Sequence, residues 1–404
     1  MRRDLDRLMQ QRGLAGLVVF ANDRYCPAMY YAAGRKFHRA IYFRAADGRA
    51  HLIADPMERD DAAKTGVEYT TLAQHRWMQR IDAHGPAGGH ADLMAEMLGT
   101  LGIRGKIAFF GDLDASFAFE LLHQLLARAE GIEIDRTHPD LLTLARATKD
   151  AGEIEAIRRA SQSVVRAYAK LRQHLGTLRR DGDRFRNGGG IVTLGQLRTL
   201  LHREFLADEL EGGESIVSQG RDAGVPHNRG NDAEPLRPGT PVIVDIFPGE
   251  TGGGYHSDFT RTFCMGPAPE PLKRLYDDCH AAFRAVMDTL KVGEECRSYQ
   301  EKTCDVFEAR GHATVRSNQT TEEGYVHGLG HGVGLAVHEA PRLGGPPSNT
   351  QTLEPGMVVT IEPGLYYPSR GLGVRIEDLV VMRPDGGYDN LTPGPYDLEI
   401  EPSS

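Results

Sequence analysis

The sequence predicts an α/β (α+β) protein of two domains, 1–145 and 146–404, on three observations. The chain has 404 residues, more than one ordinary hydrophobic core accommodates. In its first third, turns and helix-like stretches alternate with short apolar runs such as GLVVFAN, AIYFRA, AHLIAD and KIAFFGD. Near residue 145 a long amphipathic pattern begins, and β-like runs dominate after residue 240.

The second domain is expected to open with a long helix. In RATKDAGEIEAIRRASQSVVRAYAKL, Thr148 is the predicted N-cap, acidic residues follow in the first turn, and apolar residues recur at helical spacing. Further helices are predicted over 193–210, near 271–290 and near 297–310. The polar segment RRDGDRFRNGGG, at 179–190, is expected to be a flexible and solvated loop.

Composition and charge argue against some classes of partner. The chain is 40% hydrophobic and 25% charged, with 47 basic and 56 acidic residues and a net charge of −9. This balance predicts no nucleic-acid or membrane surface, and no apolar stretch reaches the roughly 18 residues of a membrane helix. The apolar run near the N-terminus follows several charged residues and is interpreted as a strand, not as a signal peptide. Five cysteines without a C-x-x-C pair predict reduced thiols in a cytoplasmic protein.

The segment PVIVDIFPGETGGGYHSDFTRTF, at 241–263, has two β-like runs around a glycine-rich turn, which predicts a hairpin. Asp245 stands in the apolar first run and Asp258 in the second. A carboxylate in an apolar strand is costly unless something compensates its charge. The plainer alternative to a functional site is a buried salt bridge.

Two more carboxylates share this setting. Glu362 lies in VVTIEPGLYY and Glu377 in VRIEDLVVM, where Arg375 shares the face of Glu377. Four buried negative charges need a cation, so the sequence predicts one or two divalent ions. Oxygen ligands favour Mn²⁺, Mg²⁺ or Ca²⁺, and one added imidazole moves the preference toward Mn²⁺, Fe²⁺, Co²⁺ or Zn²⁺. Two ions that share a hydroxide are a known arrangement for hydrolysis.

Three histidines stand close together in YVHGLGHGVGLAVHEAP. His327, His331 and His338 are four and then seven residues apart, a spacing among glycines that is not a helical zinc motif. Gly330 and Gly332 are expected to let the backbone beside His331 approach a metal closely. For each histidine taken alone, a surface position or a satisfied core position is the plainer interpretation.

At these residues the sequence resembles the pita-bread metallopeptidases: methionine aminopeptidase, aminopeptidase P and prolidase, with creatinase as a relative that uses no metal. The matching segments are VDIFPGETGGGYHSDFTRTF, HGLGHGVGLAVHEAP, TIEPGLYY and GVRIEDLVV, in that order. The likeness covers residues from about 145 to 395, and residues 1–140 resemble the creatinase-type domain of aminopeptidase P and prolidase. The resemblance implies a creatinase/prolidase-like N-terminal domain followed by a pita-bread catalytic domain, whose curved antiparallel sheet is flanked by helices.

The resemblance also implies two divalent ions, with Mn first and Co, Zn or Fe as alternatives. Their ligands would be Asp245, Asp258, His331, Glu362 and Glu377. Asp258 and Glu377 would bridge both ions, Asp245 would bind one of them, and His331 with Glu362 would bind the other. The two aspartates are thirteen residues apart, two more than is common in the family. Because the excess is even, both side chains can still share a face, and the added length belongs in the turn.

Roles around the metals follow from the same resemblance. His227, in GVPHNRG, and His338 would contact the substrate carbonyl and the tetrahedral intermediate. Glu362 would accept or relay the proton of the attacking hydroxide, and His327 would line the pocket for the proline.

Two arginines are candidates for further roles at the site. Arg375 would orient a metal ligand or bind the substrate carboxylate, and Arg370 is a second candidate for that carboxylate. For both arginines, a surface or structural ion pair is the alternative.

The activity that the resemblance implies is hydrolysis of the Xaa-Pro bond of dipeptides by a metal-bridging hydroxide, as in Xaa-Pro dipeptidase (prolidase), in a homodimer. The alternative is an aminopeptidase P, which releases the N-terminal residue from longer Xaa-Pro peptides. A non-peptidase hydrolase or a lyase on the same fold stays open. A non-catalytic binding module of this fold would have lost metal ligands, and here all five residue types are intact.

Overall fold

The computed structural model describes residues 2–403. For Arg2 and Arg3 it describes the backbone alone. It divides into two compact units, Met1–Arg146 and Ala147–Ser404. The first unit has one mixed sheet with helices, and the second combines helices with several mainly antiparallel sheets. Residues 2–403 also contain three short 3-10 helices: Pro56–Glu58, Asp222–Gly224 and Pro368–Arg370.

The first unit contains a six-stranded sheet in the order β4-β3-β2-β1-β5-β6. Its strands are β1 (Gly16–Asn22), β2 (Arg39–Ala45), β3 (Ala50–Ala54), β4 (Glu68–Thr71), β5 (Gly105–Gly111) and β6 (Ile132–Ile134). The helices that begin in this unit are α1 (Arg2–Gln11), α2 (Pro27–Ala33), α3 (Arg59–Ala63), α4 (Trp77–Thr100), α5 (Ala115–Arg128) and α6 (Leu141–Ala147). The four apolar runs of the sequence form β1, β2, β3 and β5, and side chains such as Phe20, Phe43 and Leu121 are fully buried in its core.

Four longer helices belong to the second unit. They are α7 (Ala151–Gly176), α8 (Leu194–Ala207), α9 (Glu270–Met287) and α10 (Cys296–Glu308), close to the predicted spans. The predicted N-cap Thr148 is wrong, because Asp150 caps α7 in a capping box with Glu153. Each of these two carboxylates accepts a hydrogen bond from the other residue's backbone N–H. Thr148 lies in a β-bridge with Met357 instead.

The strands of the second unit form sheets in the orders β7-β8-β9, β10-β13, β11-β12-β14-β22, β16-β15-β17-β20-β21 and β18-β19. Up to residue 265 the strands are β7 (Arg179–Asp181), β8 (Arg184–Asn187), β9 (Gly190–Ile191), β10 (Leu210–Glu211), β11 (Ile216–Gln219), β12 (Pro241–Ile246), β13 (Gly249–Glu250) and β14 (Phe259–Met265). After it they are β15 (His331–Gly332), β16 (Glu339–Arg342), β17 (Val358–Ile361), β18 (Gly364–Tyr367), β19 (Leu372–Arg375), β20 (Asp378–Met382), β21 (Tyr388–Asn390) and β22 (Glu399–Ile400).

The segment 179–190 is largely exposed, as expected, but the expectation of a loop is wrong. The segment folds back on itself as β7, β8 and the start of β9. Its one large apolar side chain, Phe185, is fully buried in a core cluster that also contains Leu175 and Leu178. A single anchored aromatic residue among polar neighbours outweighs the loop-like composition, because its burial contributes about 1.5–3 kcal/mol.

Two sequence expectations about the whole chain can be compared with the structure. All five cysteines are buried and unpaired. Within residues 2–403, no helix has both the length and the apolar character that crossing a bilayer requires.

Candidate metal centre

Glu362 and Glu377 lie where an apolar run passes from one sheet to another. The sequence places each of them inside a strand, but the structure splits these runs into β17 and β18 and into β19 and β20. Pro363 favours the first break because it cannot donate a ladder hydrogen bond. Since β17 pairs with β20 and β18 pairs with β19, both glutamates stand at junctions between two sheets.

The two aspartates lie on the hairpin that the sequence predicts. β12 pairs with β14, and Asp245 is directly opposite Thr260. Asp258 precedes Thr260 by two residues, and Glu377 forms a β-bridge with Thr260 from the other side. The Thr260 hydroxyl donates a hydrogen bond to the Glu377 carboxylate over 2.6 Å. Because Asp258 stands two residues before the partner of Asp245, this register agrees with a common face for the two aspartates.

Three of the five predicted ligands form the tightest group. One ligand atom each from Asp258, His331 and Glu377 lies within 4.8 Å of the others, and all three residues are buried. The His331 Nε2 atom is 3.7 Å from Asp258 Oδ2. Two carboxylates and one imidazole are a donor set that divalent metals bind.

Asp245 borders this group, and Arg375 holds one of its oxygens. The Arg375 guanidinium donates hydrogen bonds to Asp245 Oδ2, to the Tyr366 hydroxyl over 2.7 Å and to the Thr260 hydroxyl over 3.3 Å. The second oxygen, Oδ1, is buried and has no hydrogen-bond partner among residues 2–403. A buried carboxylate oxygen without a donor is a position that a cation would stabilise.

Glu362 is paired with the imidazole of His331. The distance from His331 Nε2 to Glu362 Oε1 is 3.2 Å, and the Thr360 hydroxyl lies 3.3 Å from the same oxygen. Burial alone would raise the pKa of Glu362, but the hydrogen bond from His331 and its charge lower that pKa to about 2. Burial likewise opposes a charged His331, and the contact with Glu362 raises its pKa nonetheless.

Asp258 and Glu377 are stabilised less by the protein's own positive charges. Burial, followed by the charge of Asp245, raises the pKa of Asp258 well above its ordinary value. Burial, followed by the charge of Asp258, raises the pKa of Glu377 in the same way. Together with the unpartnered oxygen of Asp245, these shifts indicate that the cluster lacks positive charge. The residues therefore fit a site for divalent cations.

Gly330 and Gly332 lie against neighbouring backbone segments. A Cβ atom at Gly330 would lie 2.0 Å from the carbonyl oxygen of Thr360, and one at Gly332 would lie 2.1 Å from that of Ala340. Both contacts are with neighbouring backbone segments. The glycines therefore allow the chain on either side of His331 to pack against its neighbours.

A cavity of about 660 Å³, a usual size for a small-molecule site, opens on this group. Its lining includes every predicted site residue except Arg370: Asp245, Asp258, His331, Glu362, Glu377, His227, His327, His338 and Arg375. The cavity lining also includes the apolar side chains of Ile216, Phe247 and Val337.

The histidines other than His331 have distinct surroundings. The His338 ring lies with its centroid 4.3 Å from that of His331. Burial, together with the charge of His331, lowers the pKa of His338 to about 4, so its imidazole is neutral near pH 7. The His327 Nε2 atom lies 2.9 Å from the Tyr366 hydroxyl, and burial lowers the pKa of His327. His227 stands at the cavity wall.

The arginines are arranged differently from the sequence expectation. Arg370 is not part of the cavity lining, and its guanidinium stacks 4.6 Å above the ring of Tyr367. Arg229 and Arg342 line the cavity instead, and neither forms a side-chain ion pair within residues 2–403. Sequence reasoning missed Arg342, although its position four residues after His338 is a signal that could have found it.

Comparisons with known proteins show which family the chain belongs to. The sequence profile described as "Metallopeptidase family M24" matches residues 155–384. The chain belongs to metallopeptidase family M24. A relative in Mycobacterium tuberculosis, named "Probable dipeptidase PepE", is 34% identical over 399 residues, which cover 97% of this chain and 93% of the relative. The Xaa-Pro aminopeptidase 2 of Streptomyces coelicolor is 32% identical over 281 residues, or 65% of this chain and 57% of that protein.

Solved structures of dipeptidases align with nearly the whole chain. The Xaa-Pro dipeptidase from Bacillus anthracis has a TM-score of 0.77 at 24% identity, over 99% of both chains. The dipeptidase PepE from Mycobacterium ulcerans has a TM-score of 0.75 at 25% identity, over 99% of this chain and 98% of that one. The predicted mixed α/β pita-bread fold and the predicted class of enzyme, a metallopeptidase, are confirmed.

Stabilisation of this M24 metallopeptidase by metal is expected to grow with pH. The folded, metal-free protein keeps protons on Asp258 and Glu377 that the unfolded chain has released. Its stability therefore falls as the pH rises from about 4 through the raised pKa values. A divalent ion must displace these protons, so we expect Mn²⁺ to raise the melting temperature more at about pH 8 than at about pH 5.5. Differential scanning fluorimetry measures both shifts.

The control for this prediction is Asp258→Asn. The substitution removes one of the repelling charges, so the metal-free variant should melt at or above the temperature of the parent, and Mn²⁺ should raise that temperature little at either pH. Equal Mn²⁺ shifts at both pH values in the parent, or a full shift in Asp258→Asn, would contradict the assignment.

Proposed function

We propose that the chain is a dinuclear metal-dependent exopeptidase that hydrolyses the Xaa-Pro bond of dipeptides. The observation that carries the proposal is the group of Asp258, His331 and Glu377, with Asp245 and Glu362 beside it, at the wall of a cavity of about 660 Å³. The names of relatives, among them a dipeptidase and an Xaa-Pro aminopeptidase, support a peptide substrate with proline at its second position.

Two divalent ions, with manganese preferred, would be held by the five predicted ligands, Asp245, Asp258, His331, Glu362 and Glu377. Such ions supply Lewis acidity and a lowered pKa for water at neutral pH. Asp258 and Glu377 are the central pair in this assignment, because each carries a raised pKa that a shared positive charge would relieve. In this assignment Arg375 orients Asp245, to which it donates a hydrogen bond.

The remaining polar side chains act on the peptide. Glu362 accepts the proton of the attacking water through its carboxylate. His338 is neutral near pH 7, so one ring nitrogen donates a hydrogen bond to the carbonyl oxygen while negative charge develops there. His227, on the cavity wall, is assigned the same task, and His327 lines the side of the cavity that receives the proline.

Arg342 is the best candidate to hold the free carboxylate of a dipeptide. Leu343 donates a backbone hydrogen bond to Gly330 O over 2.8 Å, and Leu329 donates one to Leu343 O over 3.2 Å. These bonds keep Arg342 beside the segment of His327, where the proline is expected. Its guanidinium has no ion-pair partner among the described residues, so it is available to a carboxylate in bidentate geometry.

A homodimer and a cytoplasmic location complete the proposal. The five buried and unpaired cysteines are compatible with a reducing compartment. The second candidate function is that of an aminopeptidase P, which the likeness to the Streptomyces enzyme favours. The two differ in whether the peptide ends at the proline.

The proposal is tested by hydrolysis of Ala-Pro, Gly-Pro and Ala-Pro-Ala in parallel with Mn²⁺ present. We expect cleavage of the two dipeptides and loss of activity on dialysis against a chelator. Cleavage of the tripeptide with equal efficiency would favour the aminopeptidase. No cleavage of any Xaa-Pro peptide, in the presence of bound metal, would refute the proposed substrate class.

Arg342→Ala is expected to weaken binding of a free carboxylate specifically. Loss of a charge-assisted contact of about 1.5–3 kcal/mol should raise KM for Ala-Pro by roughly 10- to 100-fold. The KM for Ala-Pro amide, which has no carboxylate, should change little. Arg370→Ala is the matched control and should resemble the parent, because Arg370 lies outside the cavity lining. Equal effects of Arg342→Ala on both substrates, or a rise in KM in Arg370→Ala, would contradict this assignment.

A further inference from the structure

The segment 333–338 joins β15 to β16 and carries Val337 and His338 to the cavity. The His338 side chain makes no hydrogen bond to any residue in the described range 2–403. Its ring contacts that of His331, with 4.3 Å between the centroids. The backbone of segment 333–338 therefore decides where the His338 imidazole stands.

Glu339, the first residue of β16, holds this segment through its carboxylate. Its Oε1 atom accepts a hydrogen bond from the backbone N–H of Ala336 over 2.9 Å. A Cβ atom at Gly334 would lie 2.6 Å from Oε2, so the carboxylate occupies space that only glycine leaves open. Gly334 in turn accepts a hydrogen bond from the backbone N–H of His256 over 2.9 Å, on the hairpin of the two aspartates.

Lys149 provides the positive charge opposite Glu339. Its Nζ atom lies 3.3 Å from Glu339 Oε2, and only 2% and 5% of the two side chains is exposed. The same Nζ donates a hydrogen bond to Ala147 O over 3.3 Å, and the backbone N–H of Lys149 donates to Gly356 O over 2.9 Å. Gly356 stands just before β17, the strand that ends at Ile361, next to Glu362. The ion pair therefore links the His338 segment to the strand that leads to a predicted metal ligand.

Stability alone is a weak explanation for this pair. Removing two charges from water is costly, and a pair of apolar side chains of similar volume is often at least as stable. What an ion pair adds is a defined geometry: the carboxylate has one oxygen on the Ala336 amide and the other on the Lys149 ammonium.

We propose that Lys149 and Glu339 are positioning residues, whose buried ion pair fixes segment 333–338 and thereby holds His338 in place against the carbonyl that is attacked. This inference rests on the proposed function, and it adds a pair of residues that touch neither the substrate nor a metal. It also predicts that the pair acts on turnover and not on substrate affinity.

The first test compares kcat and KM of Glu339→Gln with the parent on Ala-Pro. The introduced glutamine can still accept the Ala336 hydrogen bond through its amide oxygen but removes the negative charge that faces Lys149. We expect kcat to fall roughly 10- to 100-fold, because small misplacements of a catalytic group cost that much. The KM should stay within about twofold, and bound manganese should be unchanged. A raised KM, a loss of metal or an unchanged kcat would overturn the proposal.

The double variant Lys149→Met/Glu339→Gln separates positioning from stability. Neither residue is then a buried unpaired charge, so the melting temperature should return close to that of the parent. The kcat should stay low because the link between the two side chains is gone. Recovery of kcat together with the melting temperature would overturn the proposal. Lys170→Met/Glu204→Gln, the same changes in a more exposed ion pair of the second unit, is the matched control and should leave kcat unchanged.

The decisive comparison adds Glu339→Gln to His338→Ala. If the pair acts through His338, Glu339→Gln should lower kcat less than about twofold in this background, whereas independent effects would multiply. Amide hydrogen exchange in the metal-free protein, measured by mass spectrometry, tests the positioning of the segment without any activity. Exchange over residues 333–339 should be faster in Glu339→Gln than in the parent. Unchanged exchange there, or multiplying effects, would overturn the proposal. A parent that cleaves no Xaa-Pro dipeptide would instead refute the proposed function, and the cycle would then use a dipeptide that it does cleave.

Discussion

The burial of four carboxylates around one cavity wall is the constraint on which the candidate metal centre depends. The protein supplies two positive partners of its own, Arg375 for Asp245 and His331 for Glu362. Asp258 and Glu377 keep mainly a neighbouring imidazole and a threonine hydroxyl, and burial raises the pKa of both. The site thus lacks positive charge that divalent ions would supply, and this need explains why so many acidic residues interrupt apolar strands.

The surrounding framework holds these charges in place without metal. Thr260 faces Asp245 across one strand pair and bonds to Glu377 on the other side. Gly330 and Gly332 let the chain on either side of His331 pack directly on neighbouring backbone. The proposed pair of Lys149 and Glu339 extends the same logic to His338, which has no hydrogen bond of its own within residues 2–403. The backbone therefore sets the positions of the carboxylates, which repel one another, and of the His338 imidazole.

The five proposed metal ligands could be singled out from the sequence because each is an acidic residue or histidine that conflicts locally with its apolar or glycine-rich surroundings. Strand parity then predicted that Asp245 and Asp258 share a face, which agrees with the register at Thr260. Contacts between residues that are far apart in the chain could not be predicted from the sequence. The hydrogen bond from Arg375 to Asp245 and the stacking of Arg370 on Tyr367 depend on which strands become neighbours. The same is true of the ion pair between Lys149 and Glu339, which are 190 positions apart in the chain.

The central claim, that one cluster of five side chains holds two ions, is tested most directly by anomalous diffraction at the manganese edge from crystals grown with Mn²⁺. We expect two peaks that share Asp258 and Glu377 as ligands, one completed by Asp245 and the other by His331 and Glu362. A single peak, or peaks that avoid Asp258 and Glu377, would contradict it.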